Sequence, residues 1–309
     1  MISPSNAETI RRAGTLIREG RLVAFPTETV YGLGANALDA GAVERIFRVK
    51  GRPSTSPVIV HVASVQAARE LVTAWPPAAE ALARRFWPGP LTLVLSKRDC
   101  IPSIVTAGLP TAGLRVPANP VALELLKAAG TPIAAPSANR FSELSPTAAA
   151  HVHESLGDQV DLILDGGPAQ VGIESTVLSL AGPVPLLLRP GMISQVQIEE
   201  VIGAIHIAPT PGDGPHLAPG MHAKHYSPRT PLLLRVPDSG RGAHLWLQHQ
   251  MPAAKAVRMP ADPAHYAALL YKTLHSLDQE GFDWIAVEVP PNSAEWAGIR
   301  DRLNRAAAI

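Results

Sequence analysis

At 309 residues with 46% apolar content, the chain is long enough for one large domain or two ordinary ones around a sizeable core. Lysine and arginine total 27 against 26 aspartates and glutamates, a formal charge of +1. That balance lacks the basic excess usual in a protein that grips a long nucleic-acid backbone, but leaves room for a local basic pocket. The single cysteine, Cys100, excludes an internal disulfide and a CxxC or zinc-ligand spacing, so a reducing compartment is expected.

The first element expected is an amphipathic helix in MISPSNAETIRRAGTLIREG. Ser5 and Glu8 have capping-box spacing, Ile10, Ala13, Leu16 and Ile17 share a face, and Gly20 ends it. Charges run through this segment without an apolar core and cleavage site, which argues against a signal peptide or anchor. No apolar run approaches the roughly 20 residues needed to span a bilayer, so the expected location is cytoplasmic. From residue 21 to 190 the runs LVAFPT, PVIVHV, LTLVLS, GLRVP, PIAAPSAN, DLILD, STVLSL and PLLLR read as strands. Helical patterns fall between them, with Val43, Ile46 and Phe47 behind an Asp39 N-cap and Val121, Leu123, Leu125 and Leu126 further on. This mixture predicts one α/β domain around a mixed sheet over residues 1–205.

Residues 206–230 are dense in proline and glycine, which predicts a linker or crossing loop without a regular element. Beyond it, PLLLRV, HLWL and KAVRM read as strands, DPAHYAALLYKTLHSLDQEG as a helix, WIAVEV as a strand and the stretch from Ala294 as a last helix. The alternation predicts a small parallel α/β domain over 231–309.

Four polar motifs stand out. GLGANA after FPTETVY fits a degenerate GxGxxA pattern, but Pro26 interrupts the incoming strand and cationic KGRP stands where a ribose-binding acid belongs, so a dinucleotide site is rejected. The remaining reading of that loop is a turn in which glycines supply positive φ and threonines cap a helix. In VKGRPSTSPVIVH, Lys50 and Arg52 have two readings: favourable charge at a helix C-terminus, or an anion site on a Gly/Pro-fixed turn with Ser54, Thr55 and Ser56. APSANRFSELSPT places Ser137, Asn139 and Ser145 after a buried strand, where small polar groups also serve to satisfy turn backbone. Arg115, Glu174–Thr176 and Arg189 sit at strand ends, where open α/β sheets bind ligands. His216, His222 and His225 lie in the linker without a helical face to align them on a metal, and Trp75, Trp87 and Trp246 read as packing residues.

In their order and spacing, PTETVYGLG, KGRP, PSAN, SPT, GIESTV, LRPG and PGM…HYSP resemble the two-domain L-threonylcarbamoyladenylate synthases, the YrdC-like enzymes of tRNA modification, over nearly the whole chain. The resemblance implies a YrdC-like twisted mixed-sheet catalytic domain and a smaller Rossmann-like parallel domain. It implies a nucleotidyltransferase that forms threonylcarbamoyl-AMP and pyrophosphate from L-threonine, bicarbonate or CO2 and ATP. The product would pass to a tRNA threonylcarbamoyl transferase machinery for t6A modification at tRNA position 37, without stable tRNA binding or membrane contact. By the same resemblance, Thr27, His61 and Arg115 would hold threonine, and Lys50, Arg52, Ser54, Thr111, Ser137, Asn139, Ser145, Arg189 and Tyr226 would surround ATP. Lys50, Arg52, Ser137 and Asn139 are the implied catalytic set, and Tyr31 would shape the cavity wall. Mg²⁺ would arrive with ATP rather than in a protein-built cage. The family often has Asn or Lys before Pro-Leu after KGRP, where this chain has Ser56, Pro57 and Val58. The rival reading is a double-stranded RNA-binding or ribosome-assembly factor of the same fold, which would need a continuous basic surface.

Overall fold

The computed structural model describes residues 1–209 and 225–307. Among these, eleven strands form one mixed sheet. Their spatial order is Ile2–Pro4, Leu162–Asp165, Val23–Phe25, Gly32–Asn36, Ile133–Ala134, Val60–His61, Thr111–Arg115, Leu91–Ser96, Thr176–Ser179, Leu186–Arg189 and His206–Ile207. All eight strands expected between residues 21 and 190 are present. Four parallel strands, Leu232–Leu233, Trp284–Val287, Gly242–Trp246 and Lys255–Arg258, make the second sheet, with Pro263–Asp278 and Ala297–Ala306 as its helices. The helices begin and end on local chemistry: Asp39 accepts from the amides of Gly41 and Ala42, and Gly51 closes Ala40–Lys50 in the left-handed region at φ 62°. No helix among the described residues is long and apolar enough to cross a membrane.

Three local expectations are corrected. The first helix, Ala7–Arg18, is capped by Asn6 and Thr9 rather than by Ser5 and Glu8, because Ser5 instead donates to the carbonyl of Asp165 beside the strand Ile2–Pro4. The run GLGAN is not a turn but a strand, Gly32–Asn36. A Cβ at Gly34 would lie 2.8 Å from both Ile133 Cγ2 and Phe25 Cε1, so its glycine serves close packing rather than positive φ. Finally, His206–Ile207 pairs in parallel with Leu186–Leu187, so the first sheet runs into the segment read as irregular.

The two sheets share buried apolar packing. Val30, Leu144 and Ile173 from the first domain cluster with Tyr266, Leu270, Tyr271, Leu274, Ile299 and Leu303 of the second. At two points the backbones themselves meet: a Cβ on Gly172 would lie 2.2 Å from the carbonyl oxygen of Ala267, and one on Gly298 2.8 Å from Gly191 Cα. Backbone cannot yield as a side-chain tip does, so Gly298→Ala is expected to cost about 1–3 kcal/mol. The check is a urea melt together with limited proteolysis between the domains, and an unchanged midpoint and cleavage rate would refute it.

A second contact between the domains is ionisable. His151, on Ala149–Leu156, stacks on His275 with ring centroids 3.9 Å apart and planes 20° from parallel. His275 Nε2 lies 3.1 Å from the Ser145 carbonyl oxygen and donates to it. Burial, then the neighbouring His151, pushes the His275 pKa down to about 4, and burial lowers that of His151. Glu154, Lys272, Asp278 and Arg229 complete the charged surroundings. Both folded values lie below the unfolded value of about 6.5, so the stability tied to the neutral pair is complete above that pH and is lost as pH falls toward about 4. Docking should therefore loosen over that window, read as faster inter-domain proteolysis, and His275→Gln should flatten the dependence. The same pH profile in both proteins would count against it.

Candidate active site

The polar motifs, far apart in sequence, are stitched into one wall by backbone hydrogen bonds. Tyr31 N donates to the Pro146 carbonyl, Ala138 N to the Tyr31 carbonyl, Gly172 N to the Thr29 carbonyl and Phe141 N to the Lys50 carbonyl. The loop after Phe25 is held by one hydroxyl. Thr27 Oγ1 donates to the Val30 carbonyl at 2.6 Å and accepts from the amides of Thr29 and Val30, each at 3.2 Å. His61 and Arg115 are register partners at the ends of parallel strands, which sets them side by side.

Between these segments lies a cavity of about 50 Å³. Of the residues expected at the site, Thr27, Arg52, His61, Arg115, Ser137, Arg189 and Tyr226 line it. Lys50, Asn139 and Ser145 stand behind the wall: Lys50 Nζ donates to the carbonyls of Ser137 (2.7 Å) and Asn139 (2.5 Å), Asn139 Nδ2 donates to those of Arg140 and Glu143, and Ser145 Oγ bonds Glu174. Ser54 is exposed on its turn and Thr111 opens the strand that Arg115 ends, so neither is brought to the cavity. Tyr31 helps build the wall through its backbone but is not among the lining residues, and its hydroxyl donates to the Gly167 carbonyl at 2.7 Å. His216 and His222 lie outside the described residues.

Three buried guanidiniums dominate the electrostatics. Arg115 donates from Nη1 to Thr29 Oγ1 at 3.0 Å and from Nε to the Gly89 carbonyl at 3.2 Å, and its Nη2 forms an ion pair with buried Glu28 at 2.7 Å that is not aligned as a hydrogen bond. Arg52 donates from Nη2 to Ser56 Oγ and the Pro57 carbonyl and lies over the Phe141 ring. Ser56 thus holds the KGRP arginine from within the following turn. Arg189 donates to the Ser175 carbonyl and hydroxyl. Burial lowers the pKa of Arg52 to about 10 and lowers that of Arg189, yet both stay cationic near neutrality. His61 has its pKa pushed down to about 3 by burial and then by Arg115, so it is a neutral imidazole, and its buried Nδ1 has no hydrogen-bond partner. Burial first, and then Arg52, hold the Lys50 pKa well below its usual range.

Tyr226 closes one side of the cavity. It is buried at φ 62°, a left-handed conformation unusual for a tyrosine, and its hydroxyl accepts from Arg189 Nη1 at 3.5 Å. The segment that carries it is tied on both sides, with Ser227 N donating to the Ser142 carbonyl and His225 N to the Arg305 carbonyl. Sequence reasoning did not assign Glu28 and Thr29, although both belong to the quoted loop, nor His225 beside Tyr226, whereas Ser175 falls in the Glu174–Thr176 group read from its strand end. Nor did it find Tyr271 and Arg302, which reach Glu174 from the second domain and belong to no motif.

Residues 15–191 match the family model described as "Telomere recombination", and residues 193–308 match "Threonylcarbamoyl-AMP synthase, C-terminal domain". The threonylcarbamoyl-AMP synthase of Bacillus subtilis is 42% identical over 98% of this chain and 94% of its own length. The chain belongs to the threonylcarbamoyl-AMP synthase family. The synthase of Pyrococcus abyssi is 41% identical over 96% of this chain and 94% of its own length. A structure of the Pyrococcus abyssi protein complexed with L-threonine superposes with a TM-score of 0.93, at 39% identity, covering 99% of this chain and 96% of that one. Both sheets are thus those of a two-domain member of the threonylcarbamoyl-AMP synthase family.

Proposed function

We infer that the protein forms threonylcarbamoyl-AMP and pyrophosphate from L-threonine, bicarbonate or CO2 and ATP, as a nucleotidyltransferase supplying t6A modification of tRNA. The observation that carries this reading is the set of three buried arginines, Arg52, Arg115 and Arg189, around one cavity that also presents the small hydroxyls of Thr27, Thr29, Ser137 and Ser175. The neutral threonine amine adds to CO2 and releases a proton to solvent, giving a carbamate. A carbamate oxygen then attacks the α-phosphorus, and pyrophosphate leaves. Such a displacement asks the protein to position reactants and balance charge rather than to supply a nucleophile.

Arg115, with Thr27 and neutral His61, is assigned to threonine, its guanidinium meeting the carboxylate. Arg52, Ser137 and Arg189 are assigned to the nucleotide and its phosphates. Lys50 and Asn139 act from behind, fixing the carbonyls and turn that present Ser137. A space of about 50 Å³ is far below the roughly 300–1,000 Å³ of small-molecule sites, so the cavity has to open for ATP to enter, and that opening is assigned to movement of Tyr226 on its side of it. Mg²⁺ fits as an ion brought on the phosphates. Glu174 is the carboxylate lining the cavity, and Ser145, Tyr271 and Arg302 already engage it. Synthesis is placed in the cytoplasm, with the adenylate handed to a separate tRNA threonylcarbamoyl transferase machinery.

The test is pyrophosphate release with ATP, Mg²⁺ and bicarbonate in the presence of threonine, serine or no amino acid, with mass detection of the adenylate. Threonine-dependent release with the mass of threonylcarbamoyl-AMP is expected. No release from folded protein would overturn the reading and move attention to salt-dependent RNA binding.

A further inference from the structure

Glu174 lines the cavity, yet the groups that hold its carboxylate come mainly from the second domain. Oε1 accepts from Ser145 Oγ, while Oε2 accepts from Arg302 Nε at 2.6 Å and from the Tyr271 hydroxyl at 3.3 Å. Arg302, on Ala297–Ala306, is only 1% exposed. Its Nη2 donates to the Glu174 carbonyl at 3.2 Å and its Nη1 to the Pro190 carbonyl at 3.0 Å and to Asp301 at 2.7 Å. Its guanidinium carbon stands 5.2 Å from the centre of the Tyr226 ring. One side chain therefore grips the segments before and after the two strands that deliver Ser175 and Arg189, and it packs on the tyrosine that closes the cavity.

Burial alone would favour a neutral Glu174. Arg302 first, then Arg189, and the hydrogen bond from Ser145 outweigh it, so an anion stands in a wall that also holds Arg52, Arg115 and Arg189. Both Arg302 and Arg189 lie within the reach of its charge, and Arg302 engages it directly at 2.6 Å. We propose that Arg302 is a positioning residue for nucleotide use: by engaging Glu174 it keeps that carboxylate from capturing Arg189 and from repelling an incoming triphosphate. The second domain thereby sets the charge of the cavity through Arg302, a residue that does not itself line it. This rests on the assignment of Arg189 to the phosphates.

Breaking one ion pair from its two ends separates this role from a merely structural one. In full-length protein, Arg302→Gln frees the carboxylate and is expected to weaken binding of Mg²⁺-ATP about 10- to 100-fold while changing threonine binding less than about twofold. Glu174→Gln breaks the same pair but removes the anion and leaves Arg302 its contacts to Asp301 and two carbonyls, so ATP should bind at least as tightly as to the parent. The double variant should recover most of the loss caused by Arg302→Gln. Titration calorimetry with ATP and with threonine, alongside thermal melts, reads all three. Equal loss of ATP binding in both single variants, or a double variant no better than Arg302→Gln, overturns the proposal. Should Arg302→Gln fail to fold, Glu174→Gln and the double variant decide, and weakened ATP binding in both refutes it. Absence of ATP binding by the parent protein would instead bring down the functional reading together with this inference, whereas a parent that binds and an unaffected Arg302→Gln bring down the inference alone.

Discussion

Arg115→Ala is expected to raise the threonine concentration needed for half-maximal synthesis about 100-fold or more, with ATP binding changed much less. Truncating one partner of a buried, hydrogen-bonded charge pair typically costs 2–5 kcal/mol. The guanidinium here is buried at a strand end, oriented by Thr29 and the Gly89 carbonyl and paired with Glu28. Its removal also leaves Glu28 a buried carboxylate without a counter-charge, so stability should fall by about 3–5 kcal/mol. The two effects separate in a double variant. Glu28→Gln with Arg115→Met leaves no unpaired charge and should regain much of the stability without regaining threonine use. Recovery of threonine use along with stability would show that Arg115 acts only through folding, and equal loss of ATP and threonine binding in Arg115→Ala would end its assignment to the carboxylate.

Truncation after residue 209 is expected to reduce synthesis by at least about 100-fold while leaving the first sheet folded. The cut keeps the strand His206–Ile207 on the sheet edge but removes Tyr226, Tyr271 and Arg302 together. One side of the cavity then opens to water, which weakens every charge interaction inside it. Glu174 loses its strongest partner, and Val30, Leu144 and Ile173 lose the apolar cover they share with the second domain. Circular dichroism would show whether the fragment folds and pyrophosphate release would show what it does. Full activity in the fragment would sink both the closing role of Tyr226 and any part for the second domain in the chemistry.

Much of the fold was legible because its signals are local. The strand runs are short apolar stretches with turn residues at both ends, the N-cap at Asp39 and the stop at Gly51 are single-residue chemistry, and the second domain alternates strand and helix plainly. The misreadings are equally physical. GLGAN carries turn residues, but its glycines are there because Phe25 and Ile133 leave Gly34 no room for a side chain, and only packing reveals that. Ser5 has the right spacing for a cap, yet a strand 160 residues away competes for it and wins.

The site divides in the same way. Motif order by itself determined the family and picked out Thr27, Arg52, His61, Arg115, Ser137, Arg189 and Tyr226, because such motifs concentrate where backbone must turn sharply and present polar groups. The tertiary structure decided which of the remaining motif residues line the cavity. Lys50 is turned to two carbonyls, Asn139 to its own turn and Tyr31 to Gly167. It alone also revealed the charge partners, since Arg115 meets Thr29 across 86 residues and Arg302 meets Glu174 across 128. Nothing local marks an arginine in a polar helix as the counter-ion of a distant carboxylate. Only the packing of one domain on the other removes water from both groups, and that desolvation makes the pairing matter.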